Sequence, residues 1–353
     1  MRILHTADIH LRSEKDERWE ALRKIIELAG KEKADIIAVS GDLFDRGVDA
    51  EKLRPRARDL FSGVDFDIVL IPGNHDSDSY GSGLFFGDNI KILDDPETPF
   101  IKGDVRIWGM PFEDAGSADM ARKLRSLSEQ FDPEKTDILL YHGELLDSFY
   151  SRSDFGEEGD RRYMPAKLSF FGGLKLDYVL AGHFHTRFRV WELEGGGYFV
   201  YPGSPVSITR RETGKRSVNI LEVGEGPAER HLDTPYFESL EVSLDPFSGT
   251  DPEEEVRKAI EPLPPEAAIL LTVRGYINSD EEGLSESDLV DRIRKITGDK
   301  LEEADYLFRD IGVLINDPLF ESFKNKLEER GFGEELTERV REVAIRAMME
   351  GGQ

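Results

Sequence analysis

The chain has 353 residues, 39% of them hydrophobic and 33% charged, with a formal net charge of −26 at pH 7 and no cysteine. That length exceeds what one hydrophobic core usually serves, so two domains are expected, and no apolar stretch is long enough to span a bilayer. The absence of cysteine excludes disulfides, thiolate metal sites and a thiol nucleophile.

Residues 1–6 turn polar too quickly for a secretion signal, which, with the missing cysteines, points to a cytoplasmic protein. The acidity argues against a polyanionic partner, because phosphate contacts draw on lysine and arginine. Net charge, however, governs solubility and long-range steering rather than any one groove. Local basic runs occur at Arg161-Arg162 and at Arg210-Arg211 with Lys215-Arg216.

In the first two-thirds, short apolar runs end in glycine, histidine or aspartate: residues 3–4, 35–40, 67–72, 137–141, 177–181 and 198–201. Each reads as a buried strand, being short, β-rich and nearly continuous in apolar character. Between the first two, Trp19, Leu22, Ile25, Ile26 and Ala29 recur at helical spacing. Strands alternating with helices make an α/β sheet, and ligands of such sheets collect beyond the carboxyl ends of the strands.

From about Tyr236 the pattern changes. Residues 237–244 alternate as a strand, and Asp251-Pro252 opens a helix to Ile260, with proline where its missing N–H costs nothing. Residues 268–277 are a second strand. Residues 285–296 form a helix with a Ser-x-x-Asp start like a capping box. A third strand is predicted over 306–315, a helix from Asp317-Pro318 through Leu327, and a last helix to Met349. The boundary therefore falls near Thr234, giving a catalytic domain at 1–234 and a small α+β domain at 235–353.

Five segments each follow an apolar run: Asp8-Ile9-His10, Gly41-Asp42-Leu43-Phe44-Asp45, Gly73-Asn74-His75-Asp76, His142-Gly143 and Gly182-His183-Phe184-His185. Of seven histidines, five lie in them. Aspartate, asparagine and imidazole offer oxygen and nitrogen without sulfur, which suits manganese, iron, zinc or magnesium. A lone Gly-Asp or His-Gly would be ordinary loop chemistry; five such segments in order, each at a strand end, are not. Two cations can clamp a phosphate and acidify a water. Asp42, from the middle of the sheet, is the candidate bridge, Asp8, His10, Asn74, His142, His183 and His185 are the remaining ligand-capable groups, and His75 is left as a proton donor.

In this order the segments resemble the calcineurin-like metallophosphoesterase superfamily. The opening His5-Thr6-Ala7-Asp8-Ile9-His10, the Gly-Asp-Leu-Phe-Asp run and Tyr201-Pro202-Gly203-Ser204-Pro205 resemble, within it, the SbcD-type DNA repair exonucleases. The resemblance is specific over about residues 1–225 and beyond them rests on layout alone. It implies a four-layer metallophosphoesterase β-sandwich flanked by helices, with a smaller C-terminal α+β cap domain. It implies two divalent metal ions, expected as Mn2+, one held by Asp8, His10 and His185, the other by Asn74, His142 and His183, with Asp42 bridging. His75 assists the leaving oxygen or steadies the transition state. Asp45 stands where some archaeal relatives carry a second histidine, and either orients His75 or stabilises the turn. Asp76 reads as a turn residue or one behind the ligands. The expected reaction is manganese-dependent exonuclease and endonuclease cleavage of DNA in double-strand-break repair, by a homodimer and with an SbcC-type ATPase as a possible partner.

Other readings remain open in the sequence. A small-substrate phosphodiesterase or phosphatase uses the same scaffold; the Asp42 run resembles the protein phosphatases, although those close their signature with glutamate where Asp76 stands. A non-catalytic scaffold would have no use for His75. The Arg210–Arg216 segment either tracks a DNA backbone or forms a solvated hairpin tip, and Arg46 either meets a phosphate or caps the turn. His5 reads as a core residue and His231 as part of an acidic linker. The final helices carry Leu319, Phe320, Phe323 and Leu327, then Leu336, Val340, Val343, Ala344 and Ala347. Such stripes either bury in their own domain or, as in the repair relatives, meet the ATPase.

Overall fold

The computed structural model describes residues 1–13, 15–46, 50–81, 84–147 and 163–351. The chain divides into two compact units, Met1–Phe237 and Glu238–Gln353.

The first unit begins with β1 (Arg2–Thr6), helix α1 (Arg18–Lys31), β2 (Ile36–Ser40), helix α2 (Ala50–Phe61), β3 (Asp67–Ile71) and β4 (Ile90–Ile92). These four strands run parallel. A second sheet follows: β5 (Phe100–Lys102), β6 (Val105–Met110), helix α3 (Ser117–Ser128), β7 (Thr136–His142), helix α4 (Leu168–Phe171), β8 (Tyr178–Gly182), β9 (Arg189–Glu192) and β10 (Tyr198–Tyr201). The chain then returns to the first sheet with β11 (Ser217–Glu222) and β12 (Ala228–His231). Among the described residues the sheet orders are β12-β11-β1-β2-β3-β4 and β5-β6-β7-β8-β10-β9.

Both faces of each sheet are buried, which is why the strands read as continuous apolar runs rather than alternating ones. Ile36, Val69 and Leu221 of the first sheet meet Ile107, Ile138 and Leu180 of the second between the two. On the outer face of the first, Ile37 and Leu70 pack with Trp19, Leu22 and Phe61. On the outer face of the second, Leu139 and Val179 pack with Met120, Leu124 and Phe171. The result is helix, sheet, sheet, helix, the layering that the resemblance implies.

The shorter strands β4, β5, β9 and β12, the longer β6 and β11, and helices α2 and α3 have no counterpart in the sequence reading. The four shorter strands hold only three or four residues each, with exposed or half-buried side chains, too little pattern to separate from loop. His231 closes the edge strand β12 and so is not in a linker.

The second unit contains β13 (Tyr236–Leu244), α5 (Pro252–Ile260), β14 (Ala267–Ile277), α6 (Ser279–Glu282), α7 (Glu286–Thr297), β15 (Leu301–Asp310), α8 (Gly312–Ile315), α9 (Pro318–Arg330) and α10 (Glu334–Gly351). Its sheet has the order β13-β14-β15. The Ser285 capping box is formed, with the Ser285 side chain and Asp288 each meeting the other's backbone N–H. The third strand ends earlier than predicted, at Asp310, and residues 312–315 are helical. As an edge strand β15 carries exposed Glu302 and Glu303, and these acids hid its start from an apolar count. In the last two helices Phe320, Leu327 and Ile345 are buried, whereas Leu319, Leu336 and Val343 are exposed. The face of α10 that packs inward is thus not the predicted stripe, which omitted Ile345.

Candidate metal centre

Each of the five segments leaves the carboxyl end of its strand at the same edge of the first unit. Asp8 and His10 follow β1, Asp42 and Asp45 follow β2, and Asn74 and His75 follow β3; His142 ends β7, and His183 and His185 follow β8. Of the seven candidate ligands, four therefore come from one sheet and three from the other, so the site forms only when the two sheets pack.

Local backbone bonds lace the first two loops together: the Asp8 N–H donates to Gly41 O (3.2 Å), His10 N–H to Asp42 O (2.9 Å) and Leu11 N–H to Leu43 O (2.9 Å). Asp8, His10, Asp42 and His183 have left-handed φ values of 57°, 53°, 53° and 93°. Each such residue costs on the order of 1 kcal/mol or more. That four candidate ligands share the cost marks the site as held by the surrounding fold rather than by local preference.

Glycine serves close approach here. A Cβ on Gly41, whose φ is +91°, would overlap the His142 ring, and a Cβ on Gly73 would overlap the Asp42 carboxylate. Gly41→Ala is expected to destabilise the fold by roughly 2–4 kcal/mol and to lower bound metal. A urea midpoint and a metal count unchanged from wild type would contradict the packing described.

The seven candidate ligands converge. Asn74 Oδ1 lies 2.8 Å from His142 Nε2 and 3.2 Å from His183 Nδ1. His185 Nε2 lies 3.3 Å from His10 Nε2 and 3.6 Å from Asp8 Oδ1. Asp42 Oδ2 lies between the groups, 3.2 Å from His142 Nε2 and 3.8 Å from His10 Nε2. Donors sharing one cation with bonds of about 2.0–2.2 Å stand roughly 3 Å apart, which is the spacing seen.

Two observations test whether these residues fit divalent cations. Among the described residues, buried Asp42 Oδ2 has no hydrogen bond of normal geometry and faces the imidazoles of His142 and His10, a carboxylate position that a cation shared with those rings satisfies. Three imidazoles also turn Nε2 inward and set Nδ1 against an acceptor: His10 against Asp45 Oδ1 (3.5 Å), His142 against Ser40 O (2.7 Å) and His185 against Glu212 Oε1 (3.5 Å). Metal-ligating histidines are held in this way. The residues fit, and the sulfur-free donor set suits manganese and its neighbours.

His75 is placed beside the ligands. Its Nδ1 lies 2.8 Å from Asp45 Oδ1, its N–H donates to Asp42 Oδ1 (2.9 Å), and its ring meets that of His10 edge-on at 4.5 Å. Asp45 also accepts from the Arg46 N–H (2.8 Å) and pairs with Arg12 and Arg18. Both sequence alternatives for Asp45, orienting His75 and holding the turn, thus have a contact. His10, Asp45 and His75 are close enough to form a third cluster, but the two guanidinium groups already neutralise Asp45 and disfavour a cation there. Asp76 accepts from the N–H groups of Gly73 (2.7 Å) and Phe44 (3.2 Å) and from the Tyr80 hydroxyl (2.6 Å). It braces the loop from behind.

The electrostatics of the cluster separate its members. Burial raises the Asp8 carboxyl, against the neighbouring histidines. Burial also opposes ionisation of Asp42 and Asp45, but His142 outweighs it at Asp42, and hydrogen bonds from His10, His75 and Arg12 outweigh it at Asp45; both are held well below the usual range. Burial pulls His142 and His185 down, yet Asp42 and Asp8 respectively overcome it, and both are pushed up to about 9. In the absence of cations these two imidazoles stabilise the fold fully below the unfolded value near 6.5, and that stabilisation fades as pH rises through about 9. A cation needs them neutral, so its capture at pH 7–8 should release protons, and affinity should climb with pH up to that range. Calorimetric titration with Mn2+ in buffers of different ionisation enthalpy would read this; heats independent of buffer would contradict it.

The remaining expectations divide: the core reading of His5 holds, and that of the basic segment changes. His5 is buried with Nε2 3.1 Å from Ser40 Oγ, is pushed down to about 3 by burial, and belongs to the core rather than to the ligands. Arg216 is almost wholly buried and donates to the carbonyls of Ser204 (3.0 Å) and Thr186 (2.9 Å). It is therefore structural and tracks no DNA backbone. Arg161-Arg162 lie outside the described residues. Glu212, buried against His185, was missed because its neighbours Arg210, Arg211 and Arg216 made the segment read as a charged tip.

Residues 1–187 match the family model described as calcineurin-like phosphoesterase. The chain is 27% identical over 281 residues to the DNA double-strand break repair protein Mre11 of Sulfurisphaera tokodaii, covering 72% of this chain and 68% of that protein. It is 25% identical over 260 residues to the SbcD component of the nuclease SbcCD of Staphylococcus saprophyticus, covering 63% and 66%. It is 22% identical to Mre11 of Archaeoglobus fulgidus, across 100% of this chain and 85% of that protein. The chain thus spans about two-thirds of the length of the first two relatives. With more than half its length matched and the metal-type donors gathered at the strand ends, the chain belongs to the calcineurin-like phosphoesterase family.

Proposed function

We propose that this chain is a manganese-dependent DNA nuclease that hydrolyses phosphodiester bonds with two metal ions and processes DNA ends in double-strand-break repair. The observation that supports it most is the position of Asp42 Oδ2 between two groups of donors, with His75 beside them. The names of the relatives supply the substrate class.

When bound, a pair of divalent cations supplies Lewis acidity at the phosphoryl group and lowers the pKa of water. The chain's own residues do the rest. Asp8, His10 and His185 would hold one ion and Asn74, His142 and His183 the other, with Asp42 offered to both. Asp45 fixes the His75 ring through Nδ1, and His75 serves the leaving oxygen as proton donor. The backbone N–H of His75 on Asp42 Oδ1 ties that donor to the bridging carboxylate.

A homodimer, an SbcC-type ATPase partner and a cytoplasmic location belong to the same reading. No helix among the described residues is long and apolar enough to cross a membrane. The exposed Leu319, Leu336 and Val343 offer the ATPase a surface; binding unaffected by truncation after Asn316 would refute that role.

A second reading, a small-substrate phosphodiesterase, is favoured by the net charge of −26. The two separate in one assay: manganese-dependent digestion of end-labelled linear duplex DNA beside a small chromogenic phosphodiester, with His75→Ala as control. Nucleotide release by wild type alone is expected. Cleavage of the small ester with DNA untouched would overturn the nuclease reading.

A further inference from the structure

We propose that Glu212 is the positioning residue of His185, fixing which ring nitrogen that histidine presents to a metal ion. The inference rests on the two-ion reading above and extends it to a residue outside the five strand-end segments.

Glu212 lies in the loop between β10 and β11, where the sequence offers an acid among arginines. Its side chain is only 2% exposed. Oε2 accepts from the Ile208 N–H (2.8 Å) and Ser204 Oγ (3.1 Å), and Oε1 accepts from Thr209 Oγ1 (3.2 Å). Those three donors already answer much of the cost of burying the carboxylate. The remaining approach is Oε1 to His185 Nδ1 at 3.5 Å.

The opposite nitrogen of the same ring faces the metal centre, with Nε2 at 3.3 Å from His10 Nε2 and 3.6 Å from Asp8 Oδ1. Carboxylate, imidazole and ligand cluster therefore stand in sequence. A carboxylate on Nδ1 keeps the proton there, leaves the Nε2 lone pair for a cation, and strengthens it as a donor. The choice is not trivial in this loop, because His183, two residues earlier, turns Nδ1 toward Asn74 Oδ1 (3.2 Å).

Arg216 holds the other half of the residue. It donates to the backbone carbonyls of His185 and Glu212 and to Ser204 Oγ (3.1 Å). Main chain and ring of His185 are thus clamped by two different side chains of one loop. The loop that carries Gly203-Ser204-Pro205 becomes part of the metal centre without supplying a ligand.

The test pairs a variant with a wild-type measurement. Mn2+ titration should show two ions on wild type. On folded Glu212→Gln one of them should weaken by roughly 10–100-fold, with the other unchanged. Two ions bound as in wild type, or both weakened alike, would overturn the positioning role. Should Glu212→Gln fail to fold, 15N-histidine NMR of Zn2+-loaded wild type decides instead. It should show His185 protonated at Nδ1 and metal-bound at Nε2, and the reverse would overturn the proposal. Wild type that takes up no ion would overturn the two-ion reading itself, an outcome distinct from wild type with two ions and an indifferent variant.

Discussion

Asp42→Ala is expected to leave a folded chain that holds neither cation firmly and hydrolyses phosphodiesters at least a thousandfold more slowly. At about 1.4 kcal/mol per factor of ten, that is ~4 kcal/mol of barrier. The size follows from position. Asp42 Oδ2 lies 3.2 Å from a nitrogen of one donor group and 3.8 Å from a nitrogen of the other, while Oδ1 accepts from the His75 N–H. One truncation therefore removes a ligand from both ions, lifts an anchor from His75 and leaves the imidazoles without their central counter-charge. Asp8→Ala should act chiefly on the ion it shares with His10 and His185. Metal content by atomic emission should fall from two to below one per chain in the Asp42 variant. Two ions retained there would refute the bridging role.

His75→Ala should separate chemistry from metal binding. Both ions should remain, with kcat down by about 10²–10⁴, the usual range for loss of a proton-transfer group, and KM changed little. Asp45→Asn should lower kcat less, because it loosens the His75 ring without deleting it. Full turnover by His75→Ala with a normal metal count would remove the residue from the reaction.

The candidate ligands were legible in the sequence because each sits at or just beyond the end of a short, doubly buried strand, where polar residues break a continuous apolar run. Asp42 after residues 36–40 and His142 at the end of β7 are the clearest cases. The arrangement of the strands was less so. An apolar run does not say which of two sheets it joins, and β1, β2 and β3 lie in one sheet while β7 and β8 lie in the other. That division decides the site, since it brings Asn74 against His142 from across the sandwich.

Other parts were hidden for different reasons. Edge strands such as β9 and β12 carry exposed charge and little period. Glu212 and Arg216 are buried ionic groups, and composition assigns such residues to the surface. Only a fold that seats both beside His185 reveals their use. The acid at Glu212 amid three arginines was the one trace left in the sequence.

The most direct measurement is a crystal structure grown with Mn2+ and read by anomalous scattering. Two peaks per chain are expected, one among Asp8, His10 and His185 and one among Asn74, His142 and His183, with Asp42 reaching both. A single peak, or manganese seated among His10, Asp45 and His75 instead, would contradict the two-ion centre and the phosphodiester chemistry built on it.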